Sequence, residues 1–157
     1  MTEVEERYVH FVSCIEWLNE AWALLGELRG NTGAKFAGAA FRFALIQYAK
    51  PYKVSHGTQR RKLKLDDQFV PAKRRALHER IISRRDQLHA HTDLTVSDAV
   101  LYVGEFQGDK RAVLSRNHID PLQDMRDIEE IIALVEGTLD AMYLERSRLE
   151  SALRLSV

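Results

Sequence analysis

Apolar residues recur every three or four positions along the first part of the chain. The series consists of Val4, Tyr8, Phe11, Val12, Ile15, Leu18, Trp22 and Leu25. This spacing places them on one side of an α-helix, so an amphipathic helix is predicted over residues 3–29. Gly30 and Gly33 suit the turn that follows it. The next segment, residues 34–50, is rich in alanine and aromatic residues and predicts a buried second helix that ends before Pro51.

Two further helices are predicted in the second half of the chain. Residues 71–89 form the third, with Pro71 in its first turn. Its apolar positions at helical spacing are Leu77, Ile81 and Leu88. A long last helix starts at Asp120-Pro121. Its apolar positions are Met125, Ile128, Ile131, Ile132, Val135, Leu139, Met142, Tyr143 and Leu149.

The connections between these helices differ in character. Residues 51–70 show no periodicity and contain proline, glycine and a basic cluster, so they predict an irregular loop of a length that is often functional. Residues 95–117 instead carry apolar residues on both sides of the turn sequence Gln-Gly-Asp-Lys, which predicts a β-hairpin. The expected fold is mainly all-α. It is an up-and-down bundle of four to five helices in one domain over residues 1–157, with the hairpin inserted between the third and fourth main helices.

Composition limits the class of protein. With 157 residues, 45% of them hydrophobic and 29% charged, the chain falls in the ordinary globular range. Cys14 is the single cysteine, so an internal disulfide and a cysteine-rich zinc finger are both excluded. The acidic N-terminus is unlike a signal peptide, and no apolar run approaches the roughly 20 residues that span a bilayer. A soluble cytoplasmic protein without a membrane partner is therefore expected.

The net charge of zero conceals a basic centre. Residues 50–91 hold twelve lysines and arginines but four acids, so the rest of the chain carries an equal excess of negative charge. Such a centre either presents a surface that attracts phosphates or meets the acidic blocks across packed helices or a subunit contact. Charge alone leaves both interpretations open.

The segment SRRDQLHAHTD, residues 83–93, contains two arginines, two aspartates and two histidines within eleven residues. On a helix, Arg84 and Arg85 follow Ile81 by three and four residues, so both lie at or beside the apolar face. A charge there needs a partner, because burying it unpaired is costly. One interpretation is an ion pair with an acid of the last helix. The candidate acids are Asp124, Asp127 and Glu130. The other interpretation is a reactive site.

The order and spacing of the residues in this segment resemble a known sequence signature. Arg85-Asp86, followed by His91 after five intervening residues, is similar to the motif of the HEPN superfamily (the higher-eukaryote-and-prokaryote nucleotide-binding domains). The ending Ala-His-Thr-Asp, residues 90–93, looks most like its abortive-infection branch. The resemblance implies a helical bundle of HEPN type that pairs into a homodimer, with the Arg and His of both subunits lining one cleft. Active members cleave RNA without a metal or other cofactor.

The resemblance assigns catalytic roles to Arg85, Asp86 and His91. His91 would move protons near neutral pH, Arg85 would neutralise charge on the phosphate undergoing attack, and Asp86 would orient either of them. RNA phosphates would be held by a second set of residues. This nucleic-acid-binding set is Arg84, His89, Lys53, Arg60, Arg61, Lys62 and Lys64. Tyr48 and Tyr52 are either base-stacking rings or residues packed under the loop.

Three functions follow as hypotheses. The first is a metal-independent endoribonuclease in phage defence or a toxin–antitoxin pair, with an antitoxin protein as a further partner. The second is a non-catalytic module of the same fold that binds a nucleotide or a protein. The third is a metal-dependent phosphohydrolase built on His89, His91 and Asp93. Its further ligands would come from His56, His78 or His118. This spacing matches no common zinc pattern, so no metal is expected.

Overall fold

The fold is mainly α-helical. The computed structural model describes residues 2–57, 61–89, 100–106, 108–115 and 123–154. Within these ranges there are four α-helices: α1 (Glu3–Leu28), α2 (Ala37–Ala49), α3 (Arg75–His89) and α4 (Ile128–Arg154). There are also two antiparallel hairpins, β1 (Ser55–His56) with β2 (Lys62–Leu63) and β3 (Val100–Phe106) with β4 (Asp109–Ser115). None of the described helices is both long and apolar enough to cross a membrane.

Helix α1 is the centre of the bundle. A capping box starts it: the Thr2 side chain accepts a hydrogen bond from the Glu5 N–H, and the Glu5 carboxylate accepts one from the Thr2 N–H. Gly30, with φ of 80°, turns the chain after its last residues. Between these ends α1 packs along both α2 and α4. The helix predicted from the periodicity is therefore confirmed, whereas Tyr143, which the spacing placed on the apolar face of the last helix, is exposed.

The core lies where these helices meet. Its largest fully buried side chains are Tyr48, Phe41, Leu18, Leu25, Leu45, Ile81, Ile131, Leu134, Met142 and Val135. The buried face of α1 is narrower than its apolar series, because Val4 and Trp22 remain exposed. The Trp22 indole N–H instead donates to the Glu136 carboxylate at 2.9 Å. A surface contact with α4 thus accounts for one of the apolar positions that the spacing placed inside.

The segment between α2 and α3 is more ordered than its sequence predicts. It contains β1, β2 and 3-10 turns at Lys50–Tyr52, Asp67–Phe69 and Ala72–Arg74. The last of these turns delays the start of α3 beyond the position that Pro71 suggests. Along and after β2, exposed lysines alternate with inward leucines, and Leu65 is buried. The Leu65 N–H donates to the Pro51 carbonyl at 2.8 Å, so a long-range contact fixes the loop.

A buried carboxylate joins α3 to α4. Asp124 lies in the 3-10 turn Gln123–Asp127 that leads into α4. The Arg84 Nη1 atom lies 2.7 Å from its Oδ2 atom, and the Arg80 Nε atom lies 3.5 Å from its Oδ1 atom. Arg80 also pairs with Asp127. Of the two arginines Arg84 and Arg85, for which an ion pair with an acid of this region was one interpretation, Arg84 therefore makes that ion pair.

Other arginines of the basic centre are paired in the same way. Arg74 lies 3.3 Å from Glu130 on α4. Arg61 lies 3.5 Å from Glu3 and 3.8 Å from Glu6 on α1. At these positions the basic centre meets the acidic ends of the chain across packed elements, which was one of the two interpretations of the charge pattern.

The Asp124 contacts predict an asymmetry in stability. In Asp124→Asn, Arg84 loses its countercharge while only 24% of its side chain is exposed, so we expect a loss of about 3 kcal/mol in the free energy of unfolding. In the matched variant Asp127→Asn, only a half-exposed pair with Arg80 is removed, and the loss should stay below about 1 kcal/mol. Urea unfolding at pH 7 measures both. Equal losses would contradict this role of Asp124.

Candidate functional site

The two arginines of the motif lie near the end of α3. Arg84 and Arg85 are both half-buried. Arg84 is held by Asp124. Because successive residues of an α-helix are rotated by about 100°, Arg85 leaves the helix on a different side from its neighbour. The ion pair with Asp124 is therefore assigned to Arg84, and Arg85 follows it about 100° further around the helix.

The side chains of the remaining catalytic candidates, Asp86 and His91, are not among those that the structure describes. Asp86 and His89 lie within α3, but the described side chains of this helix end at Arg85. His91 lies outside the described residues, as does Arg60 of the basic loop. The catalytic set Arg85, Asp86 and His91 therefore stays a prediction. Arg85 is the member of this set whose side chain is described.

The basic loop is attached to α1 through a buried glutamate. Glu6 is only 4% exposed, and its carboxylate lies so close to Gly57 that an added Cβ atom would be 2.4 Å from the Glu6 Cδ atom. Arg61 sits beside the same carboxylate. Of the predicted phosphate-binding residues, Lys53 is half-buried, whereas Lys62 and Lys64 are exposed. These two lysines are the loop's most accessible cations among the described side chains.

Tyr48 and Tyr52 are core residues rather than open stacking rings. They are 0% and 4% exposed. The Tyr48 hydroxyl lies 2.8 Å from the His78 Nδ1 atom, and the Tyr52 ring packs edge-on against the imidazole with centroids 4.5 Å apart. The His78 Nε2 atom lies 3.8 Å from an Asp67 carboxylate oxygen. The packing interpretation of the tyrosines is confirmed, and His78 completes a buried polar cluster that we had not predicted.

Burial controls the ionisation of this cluster. It raises the pKa of Tyr48 and of Tyr52, so both phenols stay protonated near neutral pH. It lowers the pKa of His78, although Asp67 opposes the change. His78 follows Leu77 by one residue and precedes Ile81 by three, so its inward position was present in the helical spacing. Its partners on α2 and the loop were not evident from local sequence.

Two other candidate reactive groups, a cysteine nucleophile at Cys14 and a metal site, find no support among the described residues. Cys14 is fully buried, and burial raises the pKa of its thiol to about 12, which fits a core residue rather than a thiolate nucleophile. Within the described ranges no group of three His, Cys, Asp or Glu side chains is arranged to hold a metal ion. Of the metal-ligand candidates, His78 belongs to the buried cluster and His56 is exposed. The others lie outside the described side chains.

Comparison with protein-family models, with curated proteins and with solved structures finds no match for this chain. Neither the HEPN family nor a ribonuclease activity is therefore tested by a relative. The functional assignment depends on the motif of residues 85–91 and on the contacts described above.

The depressed pKa of His78 predicts a pH-dependent stability. In the unfolded chain this histidine binds a proton below about pH 6.5, its ordinary value, whereas the folded cluster takes up the proton only at lower pH. Protonation thus favours unfolding, so the stabilisation is present above pH 6.5 and is lost as the pH falls. The difference in unfolding free energy between wild type and His78→Gln should shrink from pH 7.5 to pH 5.

Denaturant unfolding at both pH values measures this difference. His56→Gln serves as the control for loss of an imidazole, because His56 is exposed and lies outside the buried cluster. A difference for His78→Gln that stays constant between the two pH values would show that the buried imidazole does not couple folding to protonation.

Proposed function

We propose that this protein is a metal-independent endoribonuclease of HEPN type with a composite Arg/His site at a homodimer interface. One observation supports the assignment of roles. Arg84 holds the end of α3 against the buried Asp124, and Arg85, which opens the Arg-x5-His motif, follows it half-buried on the same turn. The ion pair thus anchors the helix end at which the motif begins.

Two-fold pairing would bring two copies of Arg85 and His91 to one scissile phosphate. One His91 would take the proton from the ribose 2′-hydroxyl, which attacks the adjacent phosphorus. The second His91 would protonate the leaving 5′-oxygen. Arg85 would stabilise the negative charge of the pentavalent transition state with paired N–H donors. The products would be a cyclic phosphate and a free 5′-hydroxyl, and Asp86 would act by positioning Arg85 or His91.

RNA binding would depend on lysines more than on arginines. Lys62 and Lys64 are exposed, and no ion pair engages them among the described side chains. Arg61 instead contacts two carboxylates of α1. Exposed lysines bind phosphates as point charges and give an affinity that falls with salt. A role in phage defence or a toxin–antitoxin pair, with an antitoxin as partner, belongs to the same proposal.

The proposal predicts which motif residues are needed for cleavage. Purified protein is incubated with RNA in the presence of a chelator, and products are resolved on a gel. We expect wild type to cleave, and we expect Arg85→Ala and His91→Ala each to lower the rate by about 100-fold or more, because each removes a group that acts on the transition state. His89→Ala is the matched histidine control and should change the rate by less than about tenfold.

Absence of cleavage by wild type, or equal cleavage by all four proteins, would sink the ribonuclease proposal and leave the non-catalytic binding module. Cleavage in the presence of the chelator must also go with dimer formation. A chain that is monomeric at micromolar concentration yet fully active would refute the composite site.

A further inference from the structure

A cleft of about 360 Å³ lies between α1, the segment after β2 and the second half of α4. Its apolar wall combines buried Phe11 and Leu65 with half-buried surfaces that remain open to a ligand. These open surfaces are those of Phe69, Leu63 and Leu149. The Phe69 ring is held edge-on against Phe11 with centroids 5.5 Å apart. The cleft thus offers a fixed aromatic face beside aliphatic side chains.

The charges around this cleft are unequally satisfied. Glu145 pairs with Arg148 at 3.4 Å, and Arg7 pairs with Glu3 at 2.8 Å. The Asp66 carboxylate accepts the Gln68 N–H at 2.7 Å, a neutral donor that leaves its negative charge in place. Lys62 and Lys64 line the same cleft without an ion-pair partner among the described side chains. They are two residues apart in an extended stretch, so their ammonium groups leave on one side of it. Two lysines against the single carboxylate of Asp66 leave the cleft with a net positive charge.

His10 adds a polar group to the wall. It is half-buried, and its ring nitrogens lie 3.8 Å from the Cys14 sulfur. Desolvation lowers the pKa of His10, so the imidazole is neutral at pH 7 and offers one N–H donor and one acceptor. Such a group can bond a hydroxyl or a ring nitrogen without adding charge.

From this arrangement we infer that the cleft binds a phosphate monoester that carries an aromatic ring. The ring would lie against Phe69 and the neighbouring leucines, and the phosphate dianion would bridge Lys62 and Lys64. The volume lies within the roughly 300–1,000 Å³ of ligand pockets. In free mononucleotides and at the 5′-phosphorylated end of an RNA strand, an aromatic base and a phosphate monoester are joined through a ribose. Only the second source rests on the proposed ribonuclease function.

Calorimetric titration of the full chain at low salt tests this site with phenyl phosphate and AMP. Neither has an internal phosphodiester bond to cleave, so the result is independent of ribonuclease activity. Both should bind saturably, and inorganic phosphate and benzyl alcohol should bind at least about tenfold more weakly, since each keeps half of the contacts. The double variant Lys62→Gln/Lys64→Gln should lose at least about tenfold in affinity, and Lys73→Gln, an exposed lysine outside the cleft, should not.

A titration of the histidine ring resonances by NMR locates the ligand. Phenyl phosphate should shift the resonance that is absent in His10→Gln and raise the pKa of that imidazole, because an anion nearby favours its protonated form. A 5′-phosphorylated trinucleotide that binds more tightly than its unphosphorylated form would assign the RNA end as a source. Equal binding of the two would assign free phosphate esters.

The inference is overturned by any of three results. These are no saturable binding of phenyl phosphate or AMP, an unchanged affinity in Lys62→Gln/Lys64→Gln, and inorganic phosphate binding as tightly as the aromatic esters. The ribonuclease proposal is contradicted by a different measurement, the absence of RNA cleavage by the wild-type protein. The two proposals can therefore be judged separately.

Discussion

The buried carboxylate of Asp124 is the constraint on which the arrangement of the motif depends. A carboxylate taken out of water must be paired, and here Arg80 and Arg84, one helical turn apart on α3, are its partners. This pairing fixes the rotation of α3 about its axis. Ile81 then faces the core, and Arg85 follows Arg84 at the same helix end, about 100° further around the axis. The helix end that carries the motif is thus positioned by residues that do not belong to the motif.

The charge pattern of the whole chain follows the same logic. Arginines of the basic centre meet carboxylates from α1 and α4, and a planar guanidinium suits such half-buried contacts because it presents several donors in a fixed geometry. Lysines are more strongly hydrated point charges and stay at the surface. The basic centre is therefore partly a means of joining helices. Part of the positive charge that it leaves exposed lies at Lys62 and Lys64, beside the cleft.

The sequence predicted those features whose signal is local. Apolar spacing indicated α1 and α4, and the alanine and aromatic content of residues 34–50 indicated α2. The turn sequence Gln-Gly-Asp-Lys, which contains Gly108 with φ of 87°, indicated the β3–β4 hairpin. The contact of Arg84 with Asp124 was one of the expected alternatives, because a charge at the edge of an apolar face requires an acid nearby.

Features built from distant segments could not be predicted. Tyr48 and His78 are 30 residues apart, and nothing in either segment indicates the other. The order in the loop between α2 and α3 depends on Glu6 packing against Gly57, and the cleft is assembled from three separate elements. The spacing of apolar and polar residues within one segment gives no information about these contacts. The roles of Asp86 and His91 stay predictions that come from the motif.

The central claim is that Arg84 holds the fold and Arg85 serves the site. The most direct measurement compares RNA cleavage by Arg84→Lys and Arg85→Lys, since both variants keep the charge. A lysine at position 84 can still pair with Asp124, so cleavage should stay within about threefold of wild type. A lysine at position 85 cannot make paired contacts to the phosphate, so cleavage should fall by about 100-fold. Equal cleavage by the two variants, or a loss confined to Arg84→Lys, would contradict this account.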